Sequence, residues 1–136
     1  GVALFVHGGL HPEMTDSEVL ASPKEDVFTE MVWGDPGSSP GMLPGRRGIG
    51  HEFGVDVTEA VLSSHNVSRM IRSHQPGRAR SGPVTDHSGR VITMSSTDVY
   101  GGRPHLLLID PNAENGAAGS SAIDSVGIIS VIDLYR

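Results

Sequence analysis

Two histidines stand where a short apolar run meets a break in the chain. His7 follows Val2-Ala3-Leu4-Phe5-Val6 and opens His7-Gly8-Gly9-Leu10-His11-Pro12. His74 follows Val67-Ser68-Arg69-Met70-Ile71 and sits in Arg72-Ser73-His74-Gln75. A strand that ends in histidine presents its imidazole from a rigid base into a loop-lined crevice. Two such strands side by side would supply half of a metal site. Taken singly, a histidine at a strand end is more often a satisfied or solvated polar residue. The pair gains its weight from the residues between and after it.

The elements that must position these residues follow from the apolar pattern. Residues 2–6 are a continuous apolar run stopped by His-Gly-Gly, the pattern of a buried strand. Ser22-Pro23-Lys24-Glu25 predicts a helix start, with serine as cap, proline in the first turn and glutamate closing a capping box. Val27, Phe28, Met31 and Val32 then fall on one helical face. Residues 34–50 are rich in glycine and proline and predict a loop without regular structure. A loop of that length in a compact domain is usually functional or disordered. Asp56 is the expected cap of a second helix, with Val57, Ala60, Val61 and Ser64 as its buried face and Asn66 at its left-handed end. Strands are predicted near 67–72, 90–96, 104–109 and 126–134, and residues 112–121 read as a flexible insertion of small residues. The order is strand, helix, helix, then mostly strands. That suits an α/β (α+β) fold, one side of a β-sandwich flanked by helices and strand-rich toward the C-terminus.

Composition narrows the function. The 136 residues suffice for one modest domain, and 18 glycines and 9 prolines predict large loops around a thin Val/Ile/Leu core. A formal charge of −6 argues against a general nucleic-acid or anionic-membrane surface, so any basic pocket must be local. With no cysteine there is neither a disulfide nor a thiolate metal site, which fits an intracellular, cytoplasmic setting. No apolar run approaches the roughly 20 residues that span a bilayer. Gly45-Arg46-Arg47-Gly48-Ile49-Gly50 follows no strand and lacks Lys-Ser/Thr, which argues against a nucleotide-cradling loop.

Further landmarks run in order along the chain: Trp33-Gly34-Asp35-Pro36, then Arg47-Gly48 leading to Phe53-Gly54, then Arg72 to Gln75, then Ser96-Thr97-Asp98-Val99-Tyr100. Together with His7-Gly8-Gly9-Leu10-His11-Pro12, this series resembles the catalytic domain of the phosphoprotein phosphatases. These are the metal-dependent serine/threonine phosphatases among the calcineurin-like metallophosphoesterases. The resemblance covers roughly residues 2–110. Three motifs that precede these in the family, Gly-Asp-x-His, Gly-Asp-x-x-Asp-Arg-Gly and Gly-Asn-His-Glu, do not occur in the 136 residues. The resemblance therefore implies that residues 1–136 are the C-terminal portion of a single catalytic domain, with the N-terminal metal-binding half upstream of Gly1. It further implies that the strands ending at His7 and His74 lack sheet neighbours when the chain is alone.

The resemblance also assigns roles. His7 and His74 would ligate one of two metal ions, manganese, iron or zinc, with a bridging aspartate and an asparagine supplied from upstream. A metal-activated water would then attack phosphorus in line. Arg47, in preference to Arg46, would bind the phosphoryl group, because a guanidinium fork matches two phosphate oxygens. Tyr100 would overhang the site, although the family's Pro-Asn before that tyrosine is Asp98-Val99 here. Asp35 would orient the arginine or a metal-bound water, or form an Asp-Pro turn. His11, His51, His65, His87 and His105 receive no role.

The leading expectation is thus a phosphoprotein serine/threonine phosphatase, acting with the missing N-terminal half or other subunits of an assembly, and binding neither nucleic acid nor membrane. Two alternatives stand beside it. One is a non-catalytic, phosphatase-like structural subunit of a larger assembly. The other is a hydrolase of dinucleoside polyphosphates.

Overall fold

The structure, a computed structural model, describes residues 3–109 and 128–133. The expected insertion at 112–121 lies outside the described residues. The main sheet holds β1 (Ala3–Phe5), β5 (Arg69–Arg72), β7 (Val91–Thr93) and β6 (Val84–Asp86), in the spatial order β1-β5-β7-β6. The first three run parallel, and β6 turns back antiparallel to β7. A smaller sheet, ordered β2-β4-β3, joins β2 (Asp35–Pro36), β3 (Met42–Pro44) and β4 (His51–Phe53). A separate hairpin pairs β8 (His105–Ile109) with β9 (Ile128–Asp133). The helices are α1 (Ser17–Ala21), α2 (Glu25–Trp33) and α3 (Val55–Ser64). Mixed sheets with helices match the expected α/β class.

β5 is buried at every position, as a central parallel strand must be. Met70 and Val91 join Leu10, Val27, Phe53, Val57 and Val61 in one core beneath the helices. Ile71 and Ile92 form a second cluster, with Ala3, Met94 and Leu107 packed against it. Among the described residues β1 pairs with β5 alone and leaves Phe5 65% exposed, so the expected buried strand is an edge strand of the described sheet. β5 lies between β1 and β7, which corrects the expectation that both histidine-bearing strands lack neighbours.

Local departures have physical causes. Ser22 closes α1 and so cannot cap α2, which begins after Lys24 with no side-chain cap. α2 buries Val27 and Glu30 and turns Phe28 outward, because Glu30 has a partner across the chain in His51. Residues 34–50 are not irregular throughout: β2 and β3 both fall inside them. Proline is tolerated in β2 because that strand is an edge and needs no donor on its outer side. Asp56 does not cap α3. Gly54 holds the cap position, and the Asp56 carboxylate accepts the Gly41 N–H at 2.9 and 3.0 Å. That backbone hydrogen bond is the main cause holding the Asp56 carboxyl below its usual range. α3 buries Val57, Thr58, Val61 and Leu62, whereas Ala60 and Ser64 face solvent. Asn66 adopts the expected left-handed backbone, with φ of 50°.

Candidate functional site

The turn after β1 is fixed by its backbone. Gly8 and Gly9 donate to the Met31 and Glu30 carbonyls at 2.6 and 2.7 Å. A Cβ on Gly8 would lie 2.4 Å from the Val32 carbonyl carbon, so this approach admits only glycine. The turn after β5 docks on the turn after β1. The N–H groups of Ser73 and His74 both donate to the His7 carbonyl, at 3.2 and 2.9 Å.

This docking brings the two imidazoles together. His7 Nε2 lies 3.3 Å from His74 Nδ1, and the rings meet edge to face with centroids 5.3 Å apart. Ser73 Oγ stands 3.2 Å from His7 Nδ1, and Trp33 sets its ring edgewise on His74 at 5.4 Å. Two ligands of one ion, each bonded at about 2.0–2.1 Å, place their nitrogens roughly 3–3.4 Å apart. The observed separation fits, and His74 Nε2 is buried with no hydrogen-bond partner. Burial, followed by the nearby Arg47 charge, pulls the His74 pKa down and favours the neutral, ligating form. Among the described residues no group of three or more metal-ligating side chains gathers, so the pair is two donors and not a full site.

Behind the histidines lies a polar network. Arg72 closes β5 and is 1% exposed. All five of its N–H groups are used. Nε donates to the Gly8 carbonyl at 2.6 Å, and Nη1 donates to Gln75 Oε1 at 2.9 Å and Thr93 Oγ1 at 3.2 Å. Nη2 donates to the Gly34 carbonyl at 3.1 Å and to Asp35 Oδ1 at 2.7 Å. Burial lowers the pKa of this guanidinium, and the Asp35 carboxylate opposes the shift. The other Asp35 oxygen accepts from Arg47 Nη2. Asp35 therefore links a buried arginine to a half-exposed one. A second tether acts on the same segment. The buried Glu30 carboxylate takes the His51 N–H at 2.8 Å and faces His51 Nδ1 at 2.6 Å, fixing the chain just after the Arg47 turn.

Two clefts open on this framework. One, of about 760 Å³, is lined by His7, His74, Trp33, Arg47, Ser96 and Tyr100. The other, of about 680 Å³, holds Asp35, Arg46, Glu52, Arg78 and Asp86. Arg47, Gln75 and Arg78 belong to both. Every residue singled out in the sequence thus falls at one place: His7, His74, Arg47 and Tyr100 on the cleft wall, and Asp35 directly behind Arg47. Arg72 and Gln75 escaped notice as residues with a function. The available signal was a charged side chain inside a strand otherwise apolar at Met70-Ile71.

A solved protein serine/threonine phosphatase from Saccharomyces cerevisiae, described as similar to human phosphatase PP5, superposes with a TM-score of 0.72 over 97% of this chain and 44% of its own, at 23% identity. By sequence, the chain is 33% identical over 108 residues to serine/threonine-protein phosphatase 5 of Arabidopsis thaliana, covering 74% of this chain and 20% of that protein. It is 34% identical over 106 residues to serine/threonine-protein phosphatase T of Saccharomyces cerevisiae, covering 71% and 20%. It is 36% identical over 92 residues to the mouse serine/threonine-protein phosphatase with EF-hands 1, covering 67% and 14%. No family model matches. The chain belongs to the phosphoprotein phosphatase family, and it spans about a fifth of the length of the Arabidopsis and yeast relatives.

Proposed function

We propose that residues 1–136 form the C-terminal portion of the catalytic domain of a metal-dependent protein serine/threonine phosphatase. The observation that carries this reading is the 3.3 Å approach of His7 Nε2 to His74 Nδ1, beside an arginine aimed into the same cleft. His7 and His74 would hold one metal ion as neutral ligands, manganese, iron or zinc, with the remaining ligands supplied from outside residues 1–136. Metal bound there would supply Lewis acidity toward a phosphoryl oxygen and lower the pKa of a bound water. The chain's own residues bind and orient. Arg47 takes two phosphoryl oxygens and meets charge that grows toward the transition state. Asp35 sets the direction of the Arg47 fork, and Arg72 anchors Asp35. Tyr100, at the rim, packs against the phosphoprotein backbone. The segment 34–50 is thus an active-site element that delivers Asp35 and Arg47.

The reading is tested in the full-length protein by metal content and phosphopeptide hydrolysis. His7→Ala and His74→Ala should each remove one metal equivalent and abolish turnover. Retention of both metals in either variant would overturn the ligand assignment. Residues 1–136 expressed alone should not hydrolyse an aryl phosphate with added manganese. Turnover abolished by His74→Ala in that fragment would show that this chain builds a complete centre.

A further inference from the structure

The second cleft, of about 680 Å³, shares Arg47, Gln75 and Arg78 with the cleft of the histidine pair. A peptide that places its phosphate at Arg47 can therefore extend into this second cleft. Its wall carries three arginines and three carboxylates in matched pairs. Arg47 is on Asp35, Arg46 Nε on Glu52 Oε1 at 3.1 Å, and Arg78 on both oxygens of Asp86 at 2.7 and 2.8 Å. The charges cancel, so net charge does not select the occupant.

Hydrogen-bonding capacity does. Both Asp35 oxygens are taken, by Arg72 and Arg47, and both Asp86 oxygens by Arg78. His87 is also used on both sides, with Nε2 on the Gly37 carbonyl at 2.8 Å and Nδ1 facing Thr58 Oγ1 at 2.8 Å. Each guanidinium has five N–H groups. Within these pairs Arg46 and Arg47 each use one and Arg78 uses two. The wall has spent most of its acceptors and keeps a surplus of charged donors. A cationic side chain would meet three guanidiniums, whereas an anionic one meets their unused N–H groups. The Arg46–Glu52 pair leaves Arg46 with a side chain 90% exposed, so it can be exchanged at little cost.

Resting on the phosphatase reading, we propose that this cleft binds a second anionic group of the same substrate, a carboxylate or a phosphate, through Arg46 and Arg78. Because the clefts share a wall and an extended chain advances about 3.3 Å per residue, the group lies within about three residues of the phosphorylated one.

The test uses the full-length protein and phosphopeptides that carry glutamate, a non-hydrolysable phosphonate or glutamine at each of the flanking positions. At one position the anionic peptides should exceed the glutamine peptide about fivefold in kcat/KM, the scale of one exposed charge pair. Arg46→Gln and Arg78→Gln should each shrink that ratio, and together they should bring it to one. Equal gains for glutamate and phosphonate identify charge alone as the signal, and a larger gain for the phosphonate identifies a second phosphate. A ratio of one in the unmodified protein overturns the proposal, as does a ratio that both variants leave intact. If no peptide is hydrolysed, the phosphatase reading falls. The subsite is then still decided by the ratio of Kd values, from fluorescence anisotropy, for the same peptides with a phosphonate at the central position.

Discussion

The histidine pair and the Asp35–Arg47 segment meet at one cleft but are built on opposite principles. His7 and His74 ride on β1 and β5, strands whose apolar residues place them in a sheet. Asp35 and Arg47 belong to a small sheet and its turn, which send Phe53 into the core and are also held by polar groups reaching across the chain: Arg72 to Asp35, Glu30 to His51, Asp56 to Gly41. The first region is held by a sheet and main-chain hydrogen bonds, and the second leans further on side-chain hydrogen bonds. Damage to the first should therefore appear as lost metal in an intact fold, and damage to the second as a misplaced loop.

The sharpest way to break this contrast is Arg72→Met. Arg72 belongs to the sheet but serves the polar segment, and its loss takes the donor from the buried Gly8 and Gly34 carbonyls and leaves Asp35 with Arg47 alone. Removing one partner of a buried charge pair costs on the order of 3–5 kcal/mol. Chemical denaturation should show that loss. A change under about 1 kcal/mol, the scale of an exposed pair, would mean that the segment is held elsewhere. Next in size is Arg47→Ala, which should leave unfolding almost untouched and lower kcat by about 10²–10³, as for other lost oxyanion-type contacts. An unchanged kcat/KM would transfer the role to Arg46. Glu30→Ala comes third. It leaves the His51 N–H without its acceptor and should cost about 1–3 kcal/mol, with KM for phosphopeptide rising as the Arg47 turn loosens. If KM stays fixed while stability falls, Glu30 supports α2 and not the loop.

The smallest effect is in titration. The His74 pKa is lowered by burial and then by Arg47. Since the folded value lies below the unfolded one, metal-free protein keeps this contribution above the unfolded pKa of about 6.5 and loses stability as pH falls toward the folded value. Arg47→Ala should move the His74 midpoint upward in an NMR titration of the metal-free protein. No movement would show that the two regions are electrostatically separate.

The same contrast explains what the sequence could show. β5, β7, α3 and both histidines were legible because apolar runs and a motif are local signals. β6 was hidden by Gly82-Pro83 at its start, and β2 and β3 by the glycines and prolines around them. Phe28 looked like a core helix residue, and Glu30 was not singled out. Only a partner 21 positions away reverses that reading. Arg72 was visible as a motif residue, but no local rule reveals that its five donors end on five different groups.

The His7 carbonyl receives two N–H groups from the turn that carries His74, and both bonds use main-chain atoms alone. The spacing of the two imidazoles is therefore indifferent to the chemistry of the side chains mounted there. Replacing either histidine with aspartate, asparagine or glutamine would change the donor set while leaving the mount in place. That makes positions 7 and 74 a ready bench for testing which ion the proposed pair would prefer.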